Sequence, residues 1–214
     1  MNTASGKMKN RSEIYRVHPS VAYARKIIVN LPDKTGRSLD EWSELLQSEG
    51  PKEREERRSW LKTKHGLGGT TASLIENATH GSNPEYYDDN SYLEVAVQYV
   101  EDLYDGKKAH LRPIHDELMR IGYDLGDDVA ASPCTTMIPL YRRRVIAQIK
   151  PTTLTRIDLG LALKGCSEPY SDRLVDTGGL QKGDRITHRI PVSSVEEVDD
   201  DIRNWLQVAY ESDN

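Results

Sequence analysis

Hydrophobic spacing divides the chain into two textures. Up to about residue 126, apolar residues recur at helical intervals; beyond it, short runs rich in β-branched residues take over. Residues 1–20 carry no periodicity. The apolar segment 21–31 is short, so residues 1–30 are read as a loose N-terminus, with a helix over 21–31 as the alternative. Ser38-Leu39-Asp40-Glu41 is a capping box: the Ser38 hydroxyl accepts from the backbone near Glu41, whose carboxylate reaches back. Leu39, Trp42, Leu45 and Leu46 then share one helix face, and Gly50-Pro51 ends it. A charged helix over 52–64 presents Trp60 and Leu61. Gly66-Leu67-Gly68-Gly69 turns the chain into a short helix from Thr70 to about Ala78. These three helices form a unit over residues 31–79, near the lower size limit for an independent core.

Residues 80–90, with His80, Gly81, Ser82, Asn83 and Pro84, read as a linker. Ser91-Tyr92-Leu93-Glu94 is a second capping box, opening a helix with Leu93, Val97, Val100 and Tyr104 on one face. Pro113 suits the first turn of the next helix, whose apolar face is Ile114, Leu118 and Ile121. Strands are predicted over 136–141, 145–150 and 155–163. A long loop over 164–183 precedes a last strand over 185–192. A third capping box, Ser194-Val195-Glu196-Glu197, starts a closing helix with Val198, Ile202, Trp205, Leu206 and Tyr210. The expected fold is α+β: a small three-helix N-terminal domain, then an antiparallel sheet flanked by helices over residues 91–214.

Composition narrows the class without changing that picture. The 214 residues are 36% hydrophobic and 29% charged, with 11 Tyr, 3 Trp and no Phe, enough apolar content for a core. No apolar run approaches the ~20 residues that span a bilayer, so no membrane partner is expected. Lys7, Lys9, Arg11 and Arg16 have no apolar segment behind them, which excludes a secretory signal and makes the cytoplasm the expected location. Cys134 and Cys166 lack CxxC spacing, so reduced thiols are expected and no metal or cofactor is implied. The formal charge of −5 is unevenly distributed. Residues 1–84 sum to +4, 85–105 to −7, 106–193 to +4 and 194–214 to −6. Acidic segments of this kind are solvated helix faces in the plain reading; in the sharper one, the basic blocks meet a polyanion.

Two groups of residues carry candidate chemistry. Residues 61–75 resemble a helix-hairpin-helix motif through Gly66, Leu67, Gly68, Ala72 and Ile75. Two glycines permit a tight turn and close approach of a phosphate. The amides around Gly69 and Thr70 then point outward at a helix N-terminus. Lys62, Lys64 and His65 add charge, and such contacts read backbone rather than bases. The alternative is an ordinary glycine-capped helix end. The second group is Arg142, Arg143, Arg156, Asp158, His188 and Arg189, an anion or partner site in the C-terminal domain, against solvated arginines at a hairpin tip. Gln148-Ile149-Lys150 has the spacing of a metal-dependent nuclease strand but offers an amide where a carboxylate is needed. No HxxxH, Walker, Rossmann or GxSxG pattern is present.

Thr35-Gly36-Arg37-Ser38-Leu39-Asp40-Glu41-Trp42, followed by Trp60-Leu61-Lys62 and His65-Gly66-Leu67-Gly68, resembles the bacterial domain of unknown function DUF4287. Gly106-Lys107-Lys108, Leu111-Arg112-Pro113-Ile114, Tyr141-Arg142-Arg143, Ile149-Lys150-Pro151, Arg156-Ile157-Asp158-Leu159-Gly160-Leu161 and His188-Arg189 resemble DUF5655. The two occur fused in this order, so the resemblance spans about residues 30–212 and implies an architecture more than an activity. Relatives of the second domain fused to nuclease-like domains imply a nucleic-acid setting. Ile146 stands where a Phe is common in that family, and Asp184-Arg185-Ile186 where a Met is frequent.

The expected function is a non-catalytic binding protein, contacting nucleic acid or another polyanion through residues 66–70 and an anion or protein partner through the C-terminal arginines. The alternative is an enzyme acting on a phosphorylated or carboxylated small molecule, with Asp158, His188 and Arg156 converging in one pocket. Assembly through a sheet edge is a third reading.

Overall fold

The computed structural model describes residues 15–166 and 171–213. The expectations for residues 1–14, and for residues 167–170 of the long loop, lie outside the described residues. The chain divides into two compact units, Val17–Val95 and a second that runs from Ala96 onward and takes in Tyr15 and Arg16.

The first unit begins with α1, Pro19–Val29, in the segment read as loose. The His18 side chain accepts from the Ser20 amide, Pro19 occupies the first turn, and Val21 and Ala24 are buried. A short α2, Leu31–Thr35, ends at Gly36 in the left-handed region (φ 76°). Both bonds of the expected Ser38 box open α3, Leu39–Glu49: Glu41 N donates to Ser38 Oγ at 3.2 Å and Ser38 N to Glu41 Oε2 at 2.7 Å. α4, Arg54–His65, and α5, Gly69–Thr79, complete the hairpin. Leu31, Trp42, Leu46, Leu61, Leu67, Ala72 and Ile75 form one core. The Trp42 indole donates to Thr35 Oγ1 at 2.8 Å, so its one polar atom is satisfied inside that core. The expected linker holds a 3-10 turn, Pro84–Tyr86, and its end already belongs to α6, Asp89–Leu103. Asp88, not Ser91, caps this helix: its carboxylate accepts from Ser91 N at 2.7 Å.

In the second unit, a 3-10 segment, Gly106–Leu111, leads into α7, Arg112–Asp124. Among the described residues, six strands follow in sequence: β1, Ala130–Ala131; β2, Ile138–Tyr141; β3, Val145–Lys150; β4, Ile157–Leu161; β5, Val175–Asp176; β6, His188–Val192. A one-turn helix α8, Gly179–Lys182, lies between β5 and β6. The sheet is antiparallel in the order β1-β2-β3-β4-β6-β5. Registers Ile138↔Ile149, Ile149↔Leu159 and Leu159↔Ile190 put an unbroken apolar row on one face. Ile114, Leu118 and Ile121 from α7 join that core, as do Ile202, Trp205 and Leu206 from α9, Asp200–Glu211. Gln148, Lys150, Asp158, Gly160 and Arg189 alternate onto the opposite face. The third capping box is displaced: Val195–Glu197 is a 3-10 turn, and α9 starts five residues later than expected with Asp199 accepting from Ile202 N at 3.3 Å.

Candidate functional site

The Gly-Leu-Gly-Gly turn builds a concave site within the first unit. Gly66 is left-handed (φ 68°) and closes α4 through its amide to Lys62 O and Leu61 O. Gly68 is extended (φ −66°, ψ 152°) and stands at the N-cap of α5 without a side chain to cap it. Ala72 N donates to Gly68 O at 2.9 Å, so the amides of Gly69, Thr70 and Thr71 are the unpaired donors of a first helical turn. A Cβ added at Gly68 or Gly69 meets nothing within 4 Å. The space over these amides is therefore open, and at Gly68 the backbone angles do not call for glycine.

These residues line a cavity of about 650 Å³ together with Lys34, Arg37, Tyr23 and His65. Lys34 and Arg37 come from α2 and the Gly36 turn, some thirty residues upstream, and both are exposed. The Arg37 guanidinium stacks 5.2 Å from the Trp42 ring centre, which orients it. Tyr23 is 61% exposed at the rim. His65 sits edge-on to Trp42 and Trp60, with ring centres 5.1 and 4.5 Å away, and its Nε2 is buried without a hydrogen-bond partner. Desolvation, then the charges of Lys64 and Arg37, push the His65 pKa below its ordinary value. It is therefore neutral near pH 7. Gly66, Gly68, Gly69 and Thr70 thus come together, whereas Lys62 and Lys64 do not line the cavity. Lys64 pairs with Glu49 at 3.5 Å and lies 4.8 Å from the Trp60 ring centre. The cations at the turn are those sequence spacing missed, because tertiary packing alone brings α2 there.

The second group does not form one site. Arg142 is held by carboxylate and aromatic partners: Nε donates to Asp128 Oδ2 at 2.8 Å, and the guanidinium lies 4.2 Å from the Tyr210 ring centre. The turn at 142–144 is an anion nest that the chain fills itself. The fully buried Asp213 carboxylate accepts from Arg143 N at 3.0 Å, Arg144 N at 2.9 Å, Arg144 Nε at 2.8 Å and Arg185 Nη2 at 2.7 Å. Burial opposes its charge, yet the bonds from Arg144 and Arg143 and the charge of Arg185 hold its pKa below the usual range. Arg156 and Arg189 do converge, on Asp158: Arg156 Nε lies 2.9 Å and Arg189 Nη1 3.0 Å from Oδ1. Lys150 is the cross-strand neighbour of Asp158. His188 pairs with Leu161 and so faces the apolar side, buried, with Nδ1 3.0 Å from Thr187 Oγ1. Asp158, Arg156 and His188 therefore do not share a pocket: strand alternation separates them.

Two cavities in the second unit suit an anion poorly. One of about 580 Å³ is lined by Asp172, Glu196, Glu197 and Asp199, with Arg173 held by Asp199 at 2.8 Å. Another, of about 400 Å³, includes Arg185, already bonded to Asp213 and to Val145 O. Among the described residues, no group of three or more His, Cys, Asp or Glu could hold a metal ion, and no helix is long and apolar enough to cross a membrane.

Comparison with known families places residues 24–79 in a domain of unknown function, DUF4287, and residues 100–213 in a second, DUF5655. No curated protein and no solved structure matches the chain. The first match contains the glycine turn and its cavity apart from Tyr23; the second contains the sheet and the carboxylate-held arginines. More than half of the chain fits the second model, and the protein accordingly belongs to the DUF5655 family, carrying a DUF4287 domain ahead of it.

Proposed function

We propose that the first unit binds nucleic-acid phosphate at the turn formed by residues 66–70. The observation that carries this reading is the uncapped first turn of α5, opening into a cavity flanked by Lys34 and Arg37. A phosphate oxygen would accept from the amides of Gly69, Thr70 and Thr71, with the helix dipole behind them. Gly68 and Gly69 carry no Cβ to hold that oxygen away. Lys34 and Arg37 would meet the neighbouring charge, and exposed Tyr23 at the rim offers a ring on which a base can stack. The role proposed for this set is binding. Contacts of this type carry no base sequence information.

The test uses the helix cap against the ligand. Gly68→Ser places a hydroxyl where it accepts from the same first-turn amides, without altering net charge. Fluorescence anisotropy with a short labelled DNA, titrated with potassium chloride, should show wild-type affinity falling steeply with salt. Gly68→Ser should bind about tenfold more weakly while melting no lower than wild type. Equal affinity for the two proteins would overturn the reading.

A further inference from the structure

We infer that the cavity at the glycine turn takes single-stranded nucleic acid, with one base lying on the Tyr23 ring beside the bound phosphate, and that it discriminates against a duplex. This rests on the reading of the turn as a phosphate site and adds the strand state to it; its test separates the two. The cavity has an apolar lining as well as a polar one. Tyr23 and Ile27, one turn apart on α1, line it with Leu31 and Leu67. Leu31 and Leu67 are buried, Ile27 is half-buried, and Tyr23 stands mostly exposed. Val21 and Ala24 are the buried residues of α1, so the helix is anchored without Tyr23. Among the described residues, no other ring or cation stacks on Tyr23.

The cations of this cavity differ from the arginines of the second unit. Lys34 and Arg37 are exposed, and among the described residues neither side chain forms an ion pair or a hydrogen bond. The Trp42 ring orients Arg37 in place of a carboxylate. Charge at the cavity is therefore left for an outside anion to meet. A small anion would leave Tyr23, Ile27 and Leu67 unused; an apolar molecule would leave both cations unused. A nucleotide unit carries a flat base and a phosphate together. A cavity of about 650 Å³ has the size of sites that enclose a ligand of that kind. In a duplex, stacked neighbours cover both faces of each base, so Tyr23 reaches one only after unstacking, which weakens binding. In a single strand a base is free to lie on the ring, and every base has a π-face to offer.

The full-length protein is titrated by fluorescence anisotropy with a labelled single-stranded DNA of mixed sequence, and with the same DNA annealed to its complement. Wild type should prefer the single strand by about tenfold or more. Tyr23→Ala should weaken single-strand binding by about five- to a hundredfold, leave duplex binding within about twofold, and keep the slope of log affinity against log salt. Tyr23→Phe retains the ring and should bind as wild type does. Lys34→Gln should lower the single-strand salt slope by about 0.7. Tyr23 lies outside the buried core, so its variants keep the fold. Equal affinity for single strand and duplex, or wild-type single-strand affinity in Tyr23→Ala, overturns the inference; weak binding by Gly68→Ser then leaves the turn reading standing. A loss in Tyr23→Ala with none in Gly68→Ser keeps the ring contact and removes the turn reading. Displacement of the labelled strand by a free nucleoside monophosphate at equal nucleotide concentration marks a small-molecule site and also overturns the inference. No binding of either DNA refutes both.

Discussion

The glycine turn of the first unit and the arginines of the second treat their hydrogen-bond donors in opposite ways. At the turn of the first unit, helix amides are left uncapped under open space, beside Lys34 and Arg37. In the second unit, arginines that invite an anion reading are already held by the chain's own carboxylates: Arg142 by Asp128, Arg144 and Arg185 by Asp213, Arg156 and Arg189 by Asp158. The glycines differ in the same sense. A Cβ at Gly122 would come 2.7 Å from Leu140 Cδ1, and one at Gly179 would come 2.2 Å from Ile186 O. Those glycines serve packing, whereas Gly68 and Gly69 face empty space. Residue type therefore says little about anion binding until the internal partners of each donor are known.

The largest expected effect comes from emptying the nest at 142–144. Asp213→Ala leaves two backbone amides and two guanidiniums without their buried acceptor and should cost roughly 3 kcal/mol, measured by urea denaturation. The comparison sharpens if that variant, unlike wild type, regains stability on addition of inorganic phosphate. It breaks if Asp213→Ala is neutral.

A pH effect of similar size is expected within the second unit. Burial pushes His115, only 3% exposed, down to about 4, and its Nδ1 has no hydrogen-bond partner. The neighbouring Asp116 acts in the opposite direction, while the charge of Arg112 lowers the pKa as burial does. The unfolded chain binds this proton near pH 6.5, the folded one only near 4, so folding releases a proton in between. The stabilisation is complete above about 6.5 and declines as pH falls toward 4, by roughly 3 kcal/mol in all. His115→Phe should flatten that part of the curve; an unchanged slope would show that other groups cause it.

Smaller effects separate the glycines. Gly122→Ala should destabilise by about 1–2 kcal/mol through the clash with Leu140. Gly68→Ala should stay within about 0.5 kcal/mol by the same thermal melts. Equal losses at both positions would remove the contrast between packing and open glycines.

Much of the fold was legible. The Ser38 box and the alternating runs at 145–150 and 185–192 correspond to observed elements. Two other boxes were not, because Asp88, three residues before Ser91, and Asp199, five residues after Ser194, offer capping carboxylates in place of the serine hydroxyls. β1 and β5, of two residues each, are too short to show a period. At the candidate site, the glycines declare themselves through local spacing. Lys34 and Arg37 do not, since only packing brings α2 to the turn. Asp213 as the acceptor for Arg144 was equally hidden, 69 residues away and in a segment that reads as plain acidic helix end.

Backbone amide chemical shifts of the ¹⁵N-labelled full chain, titrated with a short DNA at low salt, test the central claim most directly. The largest changes should fall on Gly69, Thr70 and Thr71, with smaller ones at Lys34 and Arg37. Changes centred instead on residues 142–144, 156 and 189, with the turn unmoved, would contradict it.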